Sequence, residues 1–134
     1  MKMLAALALL SLSSVPALAD ELTVNVDVGA TTGDVLIAVF DSQAAYDAGR
    51  PMRAVRIDVA GGARSATVDL PTGDYAIKAF HDVDGDGQMN KNPFGMPTEP
   101  YAFSNNAKGN MGPAPWGEAQ FAVTGATIHA LTFR

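Results

Sequence analysis

Three aspartates at alternate positions give this 134-residue chain its clearest chemical pattern. In the calcium loop of an EF-hand, oxygen ligands occupy positions 1, 3, 5, 7 and 9, and a glycine at position 6 allows a sharp turn. Counted from the first aspartate, positions 1, 3, 5, 6, 7 and 9 here are Asp82, Asp84, Asp86, Gly87, Gln88 and Asn90. The pattern therefore predicts a loop that gathers carboxylate, carbonyl and amide oxygens around calcium.

The match ends before position 12, where Pro93 stands in place of a bidentate glutamate. No helix pattern flanks the loop, so the chain does not contain an EF-hand pair. A further ligand must come from elsewhere, and Glu99 and Asn92 are the two candidates. Two interpretations stay open: a weak calcium site of extracellular type, with a Kd of about 10⁻⁴–10⁻³ M, or an acidic turn capped by Asp82.

His81 directly precedes the first aspartate, and a histidine beside a carboxylate can perform general acid–base chemistry. A hydrolase built on His81 and Asp82 is therefore one hypothesis for the function. It lacks a nucleophile, because none of the three serines after residue 19 lies in a nucleophile-elbow motif. Two histidines and no cysteine are also too few for a zinc site. An enzyme therefore ranks behind a calcium-stabilised binding or structural module of the cell envelope, and we assign no catalytic residue.

The N-terminus has the pattern of a secretory signal peptide. Lys2 precedes the uncharged apolar run Met3–Leu12, and Ala17–Ala19 has the small-x-small form that signal peptidase cleaves. The apolar run is shorter than the roughly 20 residues that span a bilayer. We expect a signal peptide over residues 1–19, a mature protein in the periplasm or outside the cell, and no transmembrane segment after the cut.

Residues 20–134 are enough for one domain with one core. The chain has no cysteine, so an exported domain of this sequence must rely on its core or on a bound ion. Fourteen acidic and nine basic residues argue against nucleic-acid binding, which needs clustered lysine and arginine. The composition leaves open two classes of partner, an envelope protein and a glycan.

Alternating apolar residues and evenly spaced turns predict an all-β, antiparallel sandwich of about seven strands. The predicted strands are 22–28, 35–40, 54–60, 65–70, 75–80, 119–123 and 126–133. One short helix is expected after Asp41 or Ser42, and Gly49 should end it. Gly61-Gly62 is a hairpin signal between the third and fourth strands.

Residues 82–118 form a long insert with no obvious regular element. Its aromatic residues and frequent glycine and proline favour a stiff, packed excursion over a disordered linker. The aromatic side chains either close one end of the core or form a stacking platform. The second alternative is a carbohydrate- or small-ligand-binding sandwich that uses Trp116 and Tyr101.

Four stretches resemble the DUF2141 family, which comprises small exported bacterial proteins of unknown function. They are Tyr75–Asp82, Phe94–Glu99, Tyr101–Asn106 and Gly112–Ala119. The resemblance extends over Leu22–Phe133 and implies an Ig-like or prealbumin-like β-sandwich in the periplasm or outside the cell. It implies no particular reaction.

The family pattern also places polar residues around the insert. We expect the insert to fold back so that Glu99 and the Ser104–Asn106 turn approach the aspartate loop. The candidate metal ligands are Asp82, Asp84, Asp86, Gln88, Asn90 and Glu99. The candidate ligand surface comprises His81, Tyr101, Phe103, Ser104, Asn105, Asn106 and Trp116.

Overall fold

A computed structural model describes residues 20–109 and 112–133 of the chain. The predicted signal peptide, residues 1–19, lies outside the described residues. Within the described part, no helix has both the length and the apolar composition needed to cross a membrane.

The described residues form eight strands in two sheets, which confirms the all-β prediction. The strands are β1 (Asp20–Asp27), β2 (Asp34–Phe40), β3 (Arg53–Asp58), β4 (Ser65–Leu70), β5 (Gly73–Asp82), β6 (Tyr101–Phe103), β7 (Phe121–Val123) and β8 (Thr127–Thr132). One sheet has the order β4-β1-β8. The other has the order β3-β2-β5-β6, and β7 also pairs with β5. The short helices are α1 (Gln43–Ala48) and α2 (Trp116–Ala119).

The core lies between the two sheets and follows from the period-2 pattern of the strands. Leu22 and Val24 of β1 are at most 1% exposed, and their polar neighbours point outward. Val35 and Ile37 of β2 meet them from the other sheet. Full burial of such a side chain stabilises the fold by about 1.5–3 kcal/mol, so the alternation fixes which face of each strand is internal.

Two predicted connections differ from the structure. Gly61-Gly62 does not form a hairpin, because β3 and β4 belong to different sheets. Val59 is fully buried, and the Asp58 side chain and carbonyl accept hydrogen bonds from Gly61 and Ala63, so the chain turns across the core instead. The last strand, β8, runs parallel to β1, so the sandwich is not wholly antiparallel.

A second apolar cluster lies on the outer face of the five-stranded sheet. Helix α1 begins at Ser42, whose hydroxyl accepts the N–H of Ala45, and it ends at Gly49 in the left-handed conformation. This places Tyr46 edge-on against Phe40, with ring centroids 5.4 Å apart. The Tyr46 hydroxyl donates to the Ala114 carbonyl at 2.5 Å, and this bond holds the returning end of the insert against the sheet.

Replacement of Tyr46 by phenylalanine removes this hydrogen bond and leaves the buried Ala114 carbonyl without its donor. We expect the free energy of unfolding to fall by about 1–2 kcal/mol at neutral pH. Burial, with a smaller effect of Asp47, raises the pKa of Tyr46 to about 12. An unfolded tyrosine has a pKa of about 10, so this contribution is complete below pH 10 and is lost as the pH rises toward 12.

Urea unfolding of the wild type and of Tyr46→Phe between pH 8 and pH 12 measures this effect. The stability difference should shrink over the upper two pH units. Tyr101→Phe is the matched control, because that side chain is 41% exposed. A difference between Tyr46→Phe and the wild type that is constant with pH would contradict the assignment.

Candidate metal centre at the end of β5

The aspartate loop begins where β5 leaves the middle of its sheet. Strand β5 pairs with β2 on one side and with β6 on the other, and Asp82 lies opposite Asp34 in the β2 pairing. His81 and Asp82 are 0% and 2% exposed. The first aspartate of the motif is therefore a buried residue at the end of a central strand, and the rest of the loop extends into solvent.

The turn between β1 and β2 packs directly against this strand end. His81 Nε2 lies 2.7 Å from the Thr32 carbonyl oxygen, and because a carbonyl can only accept, Nε2 carries the proton. The Thr32 hydroxyl donates to the Val83 carbonyl at 3.1 Å. A Cβ at Gly33, where φ is +70°, would lie 1.9 Å from the Asp82 carbonyl oxygen. Only glycine fits here, so the turn fixes the direction in which the loop departs.

The loop then folds around its own carboxylates. Gly87 donates its N–H to Asp82 Oδ2 at 2.7 Å. The Asp86 N–H donates to Asp84 Oδ1 at 3.2 Å, and the Gln88 N–H donates to Asp86 Oδ1 at 2.9 Å. Gly87 has a positive φ of 78°, which side chains rarely adopt. The aspartates, spaced two residues apart, thus form successive Asx-type turns. These turns bring alternate side chains to one side of the loop.

The side chain of Glu99, a later residue of the insert, contacts this loop. Its Oε2 accepts the Val83 N–H at 2.7 Å, and its Oε1 accepts the Asn90 N–H at 3.0 Å. The Thr98 N–H donates to the Asn90 carbonyl at 2.8 Å. Glu99 is 7% exposed, so one nearly buried carboxylate closes the loop at both ends.

Four carboxylates consequently converge. Asp82, Asp84, Asp86 and Glu99 each have one oxygen within 4.8 Å of an oxygen of every other member. Two oxygens bound to the same calcium ion lie at most about 5.2 Å apart, because each Ca–O distance is about 2.3–2.6 Å. The spacing of the four oxygens is therefore compatible with one shared calcium ion.

One carboxylate oxygen of the cluster lacks the partner that burial requires. Asp82 Oδ1 is buried and accepts no hydrogen bond from the described residues. A buried polar atom without a partner costs about 1–3 kcal/mol, and more when it is charged. Asp82 Oδ2 is satisfied by Gly87, so the carboxylate has one occupied and one unoccupied acceptor.

The two exposed aspartates experience opposite electrostatic effects. Hydrogen bonds from the Asn90 amide and from the Asp86 backbone lower the pKa of Asp84. The Gln88 N–H acts to lower the pKa of Asp86, but desolvation and the charge of Asp84 outweigh it, and the pKa of Asp86 is raised. The loop is thus organised around an ionised Asp84, and the negative charge on Asp86 is unfavourable there.

The structure brings together four of the six candidate metal ligands. Of the two candidates for a ligand beyond the loop, Glu99 is beside the aspartates, whereas Asn92 Oδ1 accepts the N–H groups of Phe94 and Met96. Asn90 lies beside Asp84 and donates its Nδ2 to that side chain, so its amide would have to turn to present Oδ1 to an ion. Gln88 is exposed, and its N–H is bound to Asp86.

The candidate ligand surface is spread over several environments. His81 and Ser104 are fully buried, and Phe103 is 8% exposed. Tyr101 is exposed, and Trp116 is half-buried with its ring 5.8 Å from that of Tyr46. These side chains do not share one exposed face.

The Ser104–Asn106 turn lies away from the aspartates. Ser104 Oγ accepts the Ile77 N–H at 2.9 Å, five residues and about 16 Å back along β5 from Asp82. Asn105 donates to the Glu118 and Gln120 carbonyls, and Asn106 Oδ1 accepts the Thr132 N–H. The turn therefore joins the two sheets. Of the two approaches expected from the resemblance, only that of Glu99 is found.

Sequence reasoning missed Thr32 and Gly33. In the sequence, these two residues indicate only a glycine-containing turn before a central strand. Such a turn carries no information about a contact with residues 81–83. It also missed β6, which has only three residues.

Replacement of Glu99 by alanine leaves the Val83 and Asn90 N–H groups without their acceptor. In EDTA we expect the free energy of unfolding to fall by about 3 kcal/mol, since hydrogen bonds to a charged group contribute about 1.5–3 kcal/mol each. Urea unfolding measures the change. Glu118→Ala removes an exposed carboxylate and should stay within about 0.5 kcal/mol of the wild type. Equal effects of the two changes would show that Glu99 does not hold the insert.

The opposite pKa shifts of Asp84 and Asp86 predict opposite effects of neutralisation. At pH 7 in EDTA, Asp86→Asn should raise the melting temperature, because it removes an unfavourable charge. Asp84→Asn should lower it, because the ionised group is the better acceptor. A lowered pKa stabilises the fold above the unfolded value of about 3.9, so the deficit of Asp84→Asn should diminish as the pH falls toward 3. Thermal melts of both variants from pH 3 to 7 test the signs.

Comparison with known proteins gives one match. The family model described as "Uncharacterized protein conserved in bacteria (DUF2141)" matches residues 24–130, a range that contains the loop and Glu99. No curated protein and no solved structure matches the chain. The match confirms the resemblance carried by the motifs around β5 and the insert: the chain belongs to the DUF2141 family.

Proposed function

We propose that this protein is an exported binding or structural module of the cell envelope that calcium stabilises. The observation that carries the proposal is Asp82 Oδ1, a buried acceptor on a cluster of four carboxylates that receives no hydrogen bond from the residues the structure describes. A positive ion beside this oxygen would satisfy it and would offset the mutual repulsion of the cluster. The hydrogen bonds of the loop offset only part of the repulsion and do not reach this oxygen.

The donor set suits calcium. All four converging groups supply carboxylate oxygens, which hard cations prefer, and nitrogen and sulfur donors are not part of the cluster. Asp84 and Asp86 are exposed, so water can complete the coordination. Such a partly solvated site fits the weak affinities of extracellular modules, about 10⁻⁴–10⁻³ M.

The same site explains a structural role. The ion would bind both the loop that follows β5 and the side chain of Glu99. Binding would therefore hold these two segments together. The signal-like residues 1–19 support export. An exported chain without cysteine cannot use disulfides, so its core or a bound ion must stabilise it.

Ten millimolar calcium added to EDTA-treated protein should stabilise it by about 1.4–2.7 kcal/mol, from RT ln(1 + [L]/Kd) at the affinities above. This corresponds to a rise in melting temperature of about 5 °C or more. Circular-dichroism melts detect the shift, and calorimetric titration with calcium chloride gives the stoichiometry, which should be one. Asp84→Asn combined with Asp86→Asn should abolish both signals.

The matched control is Asp27→Asn combined with Asp69→Asn, which removes the same charge from two exposed strand positions. This variant should respond to calcium as the wild type does. An equal shift in both double variants would indicate general charge screening instead of a site. A shift with magnesium as large as that with calcium would contradict the choice of ion.

A further inference from the structure

An apolar groove of about 1040 Å³ lies on the outer face of the five-stranded sheet. Leu36 and Ala38 of β2 and Phe80 of β5 lie on its floor, on the side of each strand that does not face the core. Met96 and Pro97 of the insert line it from above. The groove is as large as a typical small-molecule site, which measures about 300–1,000 Å³.

The charge of the groove is opposite to that of the protein. The chain has a net charge of −5, yet the charged residues among those described along the groove are Arg56, Lys78 and Lys91, and none is acidic. Arg56 is paired with Asp34 at 3.0 Å. Lys78 forms no ion pair with a carboxylate of the described residues, so its charge is available to a ligand.

Lys78 is held in a defined place. Its Nζ donates to the Tyr46 carbonyl at 2.7 Å and lies 4.1 Å from the centroid of the Tyr46 ring and 5.1 Å from that of Phe40. An ammonium group has three donors, so two remain after the bond to Tyr46. Burial lowers the pKa of Lys78 against a smaller opposing effect of Asp47, and a ligand anion would further relieve the cost of burial.

We propose that the groove binds an amphipathic carboxylate, an unbranched alkyl chain that ends in a carboxylate group. The alkyl chain lies over Leu36 and Phe80 and under Met96, and the carboxylate accepts the two remaining donors of Lys78. Removal of an alkyl chain from water onto this face supplies the affinity, at about 0.8 kcal/mol per buried methylene. Lys78 sets the orientation, because its ammonium group has a defined place on the Tyr46 carbonyl, whereas Lys91 is exposed and Arg56 is paired with Asp34.

A carbohydrate fits this groove less well. Sugar hydroxyls need several convergent polar partners, but the polar side chains along the described part of the groove are only Arg56, Lys78, Lys91 and Tyr101, with no carboxylate or amide. A cationic amphiphile would place its charge beside Lys78. The lining therefore selects an anion with a long apolar part.

Calorimetric titration of the protein with monomeric dodecanoate, compared with dodecyltrimethylammonium, tests the proposal. We expect one dodecanoate per chain and at least tenfold weaker binding of the cation. Lys78→Met keeps the length of the side chain and removes the charge, so it should weaken dodecanoate binding about tenfold or more. Lys108→Met, at an exposed lysine outside this groove, should leave the affinity unchanged.

Equal affinity for the two amphiphiles, or no saturable binding of dodecanoate, would overturn the proposal even if Lys78→Met failed to fold. Unchanged dodecanoate affinity in a folded Lys78→Met protein would overturn it as well. Sedimentation with phosphatidylglycerol vesicles, in the absence of binding to monomeric dodecanoate, would assign the groove to a membrane surface instead. Calcium is not required for any of these outcomes, so they are independent of the metal experiment.

Discussion

The second half of the structure depends on the hydrogen bonds that the Glu99 carboxylate accepts. This carboxylate joins residues 83 and 90, at the start and end of the aspartate loop, to a point 16 and nine residues further along the chain, respectively. Both bonds connect an ionised group to backbone N–H donors, which makes them strong for their number. Without them, the loop and the insert would share only a few backbone contacts, and the entropy of a long irregular segment would oppose its order.

This arrangement has an electrostatic cost. Four carboxylates share a small space, and two of them, Asp82 and Glu99, are nearly buried. The protein offsets part of this cost with backbone donors from Val83, Gly87 and Asn90. Asp82 Oδ1 receives no such donor within the described chain, so a cost remains at this buried atom in addition to the mutual repulsion of the carboxylates. The buried oxygen without a donor distinguishes the cluster from an ordinary exposed acidic turn, in which solvent would satisfy every oxygen.

The sequence predicted those features that depend on neighbouring residues. The alternation in β1, the Ser42 and Gly49 caps of α1 and the carboxylate spacing are local patterns, and the structure contains each of them. Features that depend on distant pairing were not predictable in this way. The parallel pairing of β8 with β1 and the crossing after β3 are decided by which core faces complement each other. Glu99 was a candidate because the loop lacks its ligand at position 12, and the family pattern then favoured its approach, since no local rule links positions 83 and 99.

The contact between the Thr32-Gly33 turn and the aspartate loop limits how far this centre can be moved to another protein. A peptide that carried residues 82–90 alone would lack the turn that supports His81 and the glycine that leaves room for the Asp82 carbonyl. A working graft would need three separate segments held at the correct distances by two strand pairs. For protein engineering, the loop cannot be transferred alone. The loop sequence has to be transferred together with the sheet that supports it.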